Sequence, residues 1–196
     1  MAISQKIINP APFLQQNIKK NRYLKKVINY LEKVNLGLKG RDKVKYELLK
    51  HRTVYTAFDK AATLKVKPNL IGKTLVLKTG KDLVTVLIPG NKNLDKNKFK
   101  KLVNNWRKKQ GEKQTRKIDF VSEKIIKNRF KGVKVGAVPS FGNLFKLPTF
   151  IDRTLINQPK IIINAGDYNW SIKIKGADFK KLIPDLIVGN FSKSKK

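Results

Sequence analysis

The sequence contains no cysteine and only one histidine, His51. Disulfides, iron–sulfur clusters and thiolate zinc sites are thereby excluded, and a zinc hydrolase of the His/Cys kind lacks its ligands. No metal and no cofactor is expected. Long apolar runs are missing too. Nothing approaches the roughly 18 consecutive apolar residues of a membrane span, and residues 1–24 show no unbroken apolar segment with a small-residue cleavage site. The expectation is a soluble, cytoplasmic protein. Acidic residues are scarce: 13 Asp and Glu stand against 45 Lys and Arg, a formal net charge of +32 over 196 residues.

What is present is enough for a packed core. With 40% hydrophobic and 9% aromatic residues, the chain is unlike a basic disordered tail, which is poor in aromatic and β-branched side chains. Its length suits one domain. The excess charge is positive in every quarter of the sequence, so it is not a tail property. Two readings stand side by side: a polyanionic partner, RNA or DNA, whose phosphates Lys and Arg neutralise, or a general bias toward lysine, which far outnumbers arginine.

Along the chain, residues 1–21 read as a basic N-terminal arm holding Lys19 and Lys20. Residues 22–35 place Leu24, Val27, Ile28 and Leu31 at i, i+3, i+4 and i+7, an amphipathic helix with Lys25 and Lys26 on its wet side. A short strand is expected over 43–49, and a helix within 53–64 with Thr56 as its N-cap. Residues 73–78 and 83–88 form a hairpin around Thr79-Gly80-Lys81-Asp82. A helix covers 94–103, and residues 104–117 read as a basic loop or insertion. Ser122 opens a helix to residue 129, and 132–145 is a loop punctuated by glycine and proline. Further strands are expected at 118–120, 149–152, 160–164 and 170–174, with a closing helix at 178–183 and a basic tail at 191–196. Strands and helices alternate without a steady βαβ rhythm. The fold class is α+β: a mixed sheet, partly barrel-like, flanked by helices in a single domain over 22–190.

Several clusters could carry chemistry. Gly72-Lys73-Thr74 imitates the end of a phosphate-binding loop, but Lys67 stands where the first glycine belongs and a strand, not a helix, follows. His51 is available as a general base, but no nucleophile-elbow sequence accompanies it, and local sequence favours an ordinary structural or surface histidine. Gly136, Pro139 and Gly142 fall within seven residues. Such a loop either only shapes the backbone or exposes N–H groups to a ligand, as an oxyanion hole does. Trp106, next to Arg107, Lys108 and Lys109, is either a base-stacking aromatic in a basic patch or a core anchor. Asn164-Ala165-Gly166-Asp167, after a buried strand, closes a pocket or makes a turn.

Taken in order, these pieces resemble the YbaK family of prolyl-tRNA synthetase-associated editing domains. The resemblance rests on His51-x-x-Val-Tyr-Thr-Ala, Gly72-Lys73-Thr74-Leu75, Val86-Leu87-Ile88-Pro89-Gly90, Gly136-Ala-Val-Pro-Ser-Phe-Gly142, Leu147-Pro-Thr-Phe-Ile-Asp152 and Asn164-Ala-Gly166, and spans about residues 22–190. It implies an aminoacyl-tRNA deacylase acting in trans on mischarged tRNA, typically tRNA(Pro) bearing Ala or Cys, with tRNA and an aminoacyl-tRNA synthetase as partners. It assigns catalysis to Lys73, to Gly136 and to Ser140, which stands where the family loop usually has proline. It places His51, Thr56, Phe141, Gly142, Asn164, Gly166 and Ser171 at the pocket. Lys19, Lys20, Lys25, Lys26, Trp106, Arg107, Lys108 and Lys109 are the expected RNA contacts. The chemistry implied is water attack assisted by a ribose hydroxyl, with backbone N–H groups stabilising the oxyanion. The alternatives are a non-catalytic tRNA-binding or synthetase-associated module on the same fold, or a structural basic protein such as a ribosomal component.

Overall fold

The structure is a computed structural model, and it describes residues 6–7 and 21–195. Most of the expected N-terminal arm, with Lys19 and Lys20, lies outside these residues. Helix α1 (Arg22–Leu36) buries Leu24, Val27, Ile28 and Leu31, the stripe its spacing predicts. Asn21 caps it, its side chain accepting from the Leu24 N–H at 3.0 Å, and Gly37 ends it.

Two open sheets form the centre. The first has the order β1 (Lys6–Ile7), β2 (Tyr46–Lys50), β9 (Trp170–Ile174), β8 (Ile161–Asp167), all antiparallel. The second runs β10 (Ile187–Gly189), β7 (Thr149–Asp152), β4 (Asp82–Pro89), β3 (Gly72–Thr79), β6 (Ile118–Phe120). Its β3–β4 hairpin turns at Gly80-Lys81, while β7 joins β4 and β10 in parallel. A parallel bridge from Ile71 to Ile162 links the two sheets. Neither sheet closes on itself, so the fold is mixed α+β but not the partly barrel-like one expected.

Helix α1 covers β8 and β9 through the largest core cluster, which includes Ile161, Ile163 and Ile172. Helix α3 (Lys96–Lys109) covers β4 and β7 through Phe99, Val103 and Phe150. Asp95 caps it, accepting from Asn97 and Lys98 N–H at 3.1 and 3.0 Å. The short helices are α2 (Ala57–Thr63), α4 (Glu123–Arg129), α5 (Arg153–Ile156) and α6 (Phe179–Leu182). Ser122 precedes α4 as expected but makes no side-chain capping bond.

Two expectations fail. The stretch from 104 is not a loop at its start: α3 continues to Lys109, because Trp106 packs edge-on against Phe150 at 5.6 Å and Arg107 turns inward. Nor do residues 191–195 form a free tail. Residues Ser192–Ser194 form β11, antiparallel to β5 (Lys92–Leu94). Phe191 anchors this end, buried 5.2 Å from Phe99, while its N–H and that of Ser192 both donate to the buried Asp152 carboxylate at 2.8 Å.

Candidate active site

A cleft of about 340 Å³ opens where the two sheets meet. Its walls are the start of α2 with the segment before it, the head of β3, Gly136 and Ala137, the bulged end of β8, and Lys195 just after β11. Gly90 lets these walls approach: a Cβ there would sit 2.8 Å from both the Ala57 Cβ and the Pro68 carbonyl.

Helix α2 supplies the most unusual group. Thr56 caps it as expected, accepting from the Asp59 N–H at 3.0 Å and donating to that carboxylate at 2.7 Å. One turn on, Lys60 points inward. It is 6% exposed, and its ammonium donates to Asn164 Oδ1 at 2.6 Å. Burial lowers its pKa to about 8, because desolvation penalises the charged form. Sequence reasoning missed Lys60. The signal was there: Ala57, Lys60, Ala61 and Leu64 lie on one stripe of the helix, so a cation occupies an apolar position.

Lys73 enters from the head of β3 and donates to the Lys92 carbonyl at 2.9 Å. It is half-buried; burial first, and the Lys195 charge second, lower its pKa. Next to it the Thr74 and Ser140 hydroxyls lie 2.8 Å apart. Ser140 is fully buried and does not line the cleft. It sits behind the wall and ties the glycine loop to β3.

Gly136 faces the cleft with φ +84°, and no heavy atom stands within 4 Å of where a Cβ would be. Among the described residues its N–H donates to nothing, whereas the Ala137 N–H is occupied by the Lys134 carbonyl at 2.9 Å. Of these two loop N–H groups, the free one among the described residues is that of Gly136. Asn164 bridges the floor: besides accepting from Lys60, its carboxamide N–H reaches toward the Gly136 carbonyl at 3.4 Å.

The other expected pocket residues stand elsewhere. His51 Nε2 lies 2.9 Å from the Ser171 hydroxyl and Nδ1 2.8 Å from the Arg52 carbonyl. Neither His51 nor Ser171 lines the cleft, but Ser171 is the register partner of Asn164 on the neighbouring strand, so the two side chains stand side by side on one face of the sheet. The His51 pKa is lowered, first by burial and further by the Lys60 charge, against opposing contributions from the Arg52 carbonyl and Asp167. Phe141 belongs to the core, with ring centroids 5.7 Å from both Tyr30 and Phe179. Gly142 packs against the Thr85 and Thr149 hydroxyls, and Gly166 against Tyr23 and Pro139. None of the three lines the cleft.

The expected RNA contacts divide. Lys25, Lys108 and Lys109 are exposed. Lys26 is exposed and lies over the Phe145 ring at 5.4 Å. Trp106 is committed to Phe150. Arg107, 6% exposed, pairs with Asp82 and donates to the Thr79 carbonyl at 2.9 Å and the Lys113 carbonyl at 3.0 Å. It is a structural cation. At the cleft mouth stand exposed aromatics that sequence reasoning left out, Tyr55 at 71% and Phe58 at 45%. Among the described residues no cluster of three or more His, Cys, Asp or Glu could hold a metal, and no helix is long and apolar enough to cross a membrane.

The cleft is thus small and cation-lined, lies at the junction of the two sheets and has an open glycine loop in its wall. The chain belongs to the aminoacyl-tRNA editing domain family, whose profile matches residues 51–182. A solved protein described as a "putative trans-editing enzyme for prolyl tRNA synthetase" shares the fold at a TM-score of 0.68 and 21% identity, covering 88% of this chain and 98% of that one. A hypothetical protein superposes equally well, at a TM-score of 0.68 and 21% identity over 86% of this chain and 99% of that one. Among curated proteins no sequence matches the chain.

Proposed function

We propose that this protein is an aminoacyl-tRNA deacylase acting in trans, which hydrolyses the ester of a small wrong amino acid, Ala or Cys, on tRNA(Pro). The carrying observation is that Lys60, Lys73 and the unused Gly136 N–H all line one cleft, where a developing oxyanion would be met from three sides. Family membership supports the general activity, and the neighbour described as a trans-editing enzyme supports action in trans.

Water attacks the ester carbon and the carbonyl oxygen becomes an oxyanion. The ammonium of Lys60, held in place by Asn164, and that of Lys73, held by the Lys92 carbonyl, stabilise it together with Gly136. Such preorganised donors need no reorganisation during the reaction, and losing one typically costs about 10²–10³ in rate. Collapse breaks the bond to the ribose oxygen. The attacking water's proton passes to that oxygen through the neighbouring ribose hydroxyl, leaving the free amino acid and an intact tRNA end. A cleft of about 340 Å³ is at the small end of ligand sites, which suits Ala or Cys. Size selection of this kind is worth about 1–3 kcal/mol per methylene. The net charge of +32 attracts the tRNA body through its phosphates.

The test is deacylation of Ala- and Cys-tRNA(Pro) within a panel of mischarged tRNAs, by wild type and Lys73→Ala. Turnover by the wild type, reduced about 10²-fold or more in the variant with an unchanged melting temperature, is expected. Binding without turnover across the panel would overturn the proposal in favour of a non-catalytic tRNA-binding module.

A further inference from the structure

Lys195 lies beyond the segment matched to the family, yet it lines the cleft. Its position is built, not incidental. Strand β11 pairs Ser194 with Lys92, the residue whose carbonyl holds Lys73. The strand starts from an anchor: Phe191 in the core and two N–H groups on Asp152. The Lys195 ammonium then rests over the Phe58 ring, 4.1 Å from its centroid, and makes no ion pair or hydrogen bond among the described residues.

The charge around it is uncompensated. Lys60, Lys73 and Lys195 line the cleft against one carboxylate, Asp167, and that carboxylate is already bound by Lys134 at 3.0 Å and Asn21 at 2.6 Å. Lys195 stands near enough to Lys73 for its charge to make that ammonium harder to keep. Two like charges facing one small space with no anion between them is an arrangement that a bound anion relieves. Lys60 and Lys73 are held by Asn164 and Lys92; Lys195 is held only by an aromatic face.

We infer that Lys195 binds the 5′-phosphate of the nucleotide that carries the aminoacyl group, with Phe58 as the ring on which its ammonium is parked when the cleft is empty. This rests on the deacylase reading above, since it takes the terminal adenosine of tRNA as the ligand. It adds a phosphate contact supplied by the C-terminal strand. Lys195 is then a binding residue rather than part of the machinery that acts on the ester.

The test separates the two ideas by using stable probes. Alanine joined through an amide to 3′-amino-3′-deoxyadenosine is not hydrolysed, and it is titrated with and without a 5′-phosphate by calorimetry. For the wild type, the phosphorylated probe is expected to bind about tenfold tighter, the scale of one charge-assisted hydrogen bond. Lys195→Ala should erase that ratio while leaving affinity for the unphosphorylated probe and the melting temperature unchanged. Lys195→Arg should keep most of it. Lys193→Ala, which removes an exposed lysine on the same strand that does not line the cleft, should keep all of it. A ratio that survives in Lys195→Ala, with both probes bound, overturns the role of Lys195 and leaves the deacylase reading standing. Failure of the wild type to bind either probe overturns both.

Discussion

The Lys60 ammonium and the Asn164 carboxamide oxygen are 2.6 Å apart inside the cleft, and among the described residues no carboxylate joins them. A buried lysine without a counter-ion is costly, and it persists where its charge is used. Lys60→Met is expected to lower deacylation about 10²–10³-fold with little change in KM. The pH profile gives the sign. As an oxyanion-stabilising cation, Lys60 works while protonated, so the wild-type rate, corrected for spontaneous hydrolysis, should fall above pH about 8. Lys60→Arg, which stays charged, should keep its rate to higher pH. A rate that rises through pH 8 would show the amine acting as a base instead.

The same residue makes a stability prediction. Its folded pKa of about 8 lies below the ordinary value of 10.5, so the unfolded chain binds more protons between these values. Stability therefore rises with pH across that window. The burial cost, about 3 kcal/mol from the shift, is fully present below pH 8 and relieved toward pH 10.5. Denaturant melts of wild type and Lys60→Met from pH 7 to 10 should converge as pH rises.

His51 gives a second pH signature at the acid end. Its folded pKa is depressed, chiefly by burial, so the folded state resists protonation. The contribution is intact above the unfolded value near 6.5 and is lost as pH falls through the folded pKa. As the only histidine, it is read directly by proton NMR. Its midpoint should lie below 6.5, and His51→Gln should flatten the stability slope on the acid side of pH 6.5 relative to wild type.

Arg107 should behave as a structural residue. Lys108→Gln with Lys109→Gln should weaken tRNA binding and shallow its salt dependence by about 0.7–0.9 for each phosphate no longer neutralised. Arg107→Ala should instead lower stability by about 2–3 kcal/mol, since it strands the Thr79 carbonyl and Asp82. Comparison of the salt slopes and the melts of these variants checks both statements.

Ser140→Ala removes the partner of the Thr74 hydroxyl. The expected loss is about 1 kcal/mol of stability, with a larger relative loss of kcat than of KM, because the loop that presents Gly136 is no longer tied to β3. Steady-state kinetics with a thermal melt measure both.

The parts of this structure visible in the sequence are those set by near neighbours. The α1 stripe, the Thr56 cap and the β3–β4 hairpin each depend on a few consecutive residues, and each stands where spacing puts it. The cleft was legible only as a set of loops. Lys73, Gly136, Asn164 and Thr56 do meet there, while Phe141 and Gly142 lie in the interior a few residues further along the same loop. What escaped depends on distant partners. Lys60 reads as a solvated helix charge until β8 brings Asn164 beside it. Residues 104–109 read as loop because a buried Arg looks polar, although Thr79 and Asp82 receive it. The pairing of β11 with β5 joins Ser192 to Leu94, and neither three-residue segment carries a strand pattern of its own.

That last pairing sets a timetable for the newborn chain. At roughly 5–20 residues per second of synthesis, β5 emerges ~5–20 s before the strand that covers it. Until then its backbone edge is open, and Lys195 is still to be added. A ribosome-tethered chain arrested at residue 185 would hold Lys60, Lys73 and Gly136 but lack β10, β11 and their anchor on Asp152. The lysines that meet the ester are therefore made long before the wall that closes their cleft, and a half-made copy carries the reactive groups without the finished site.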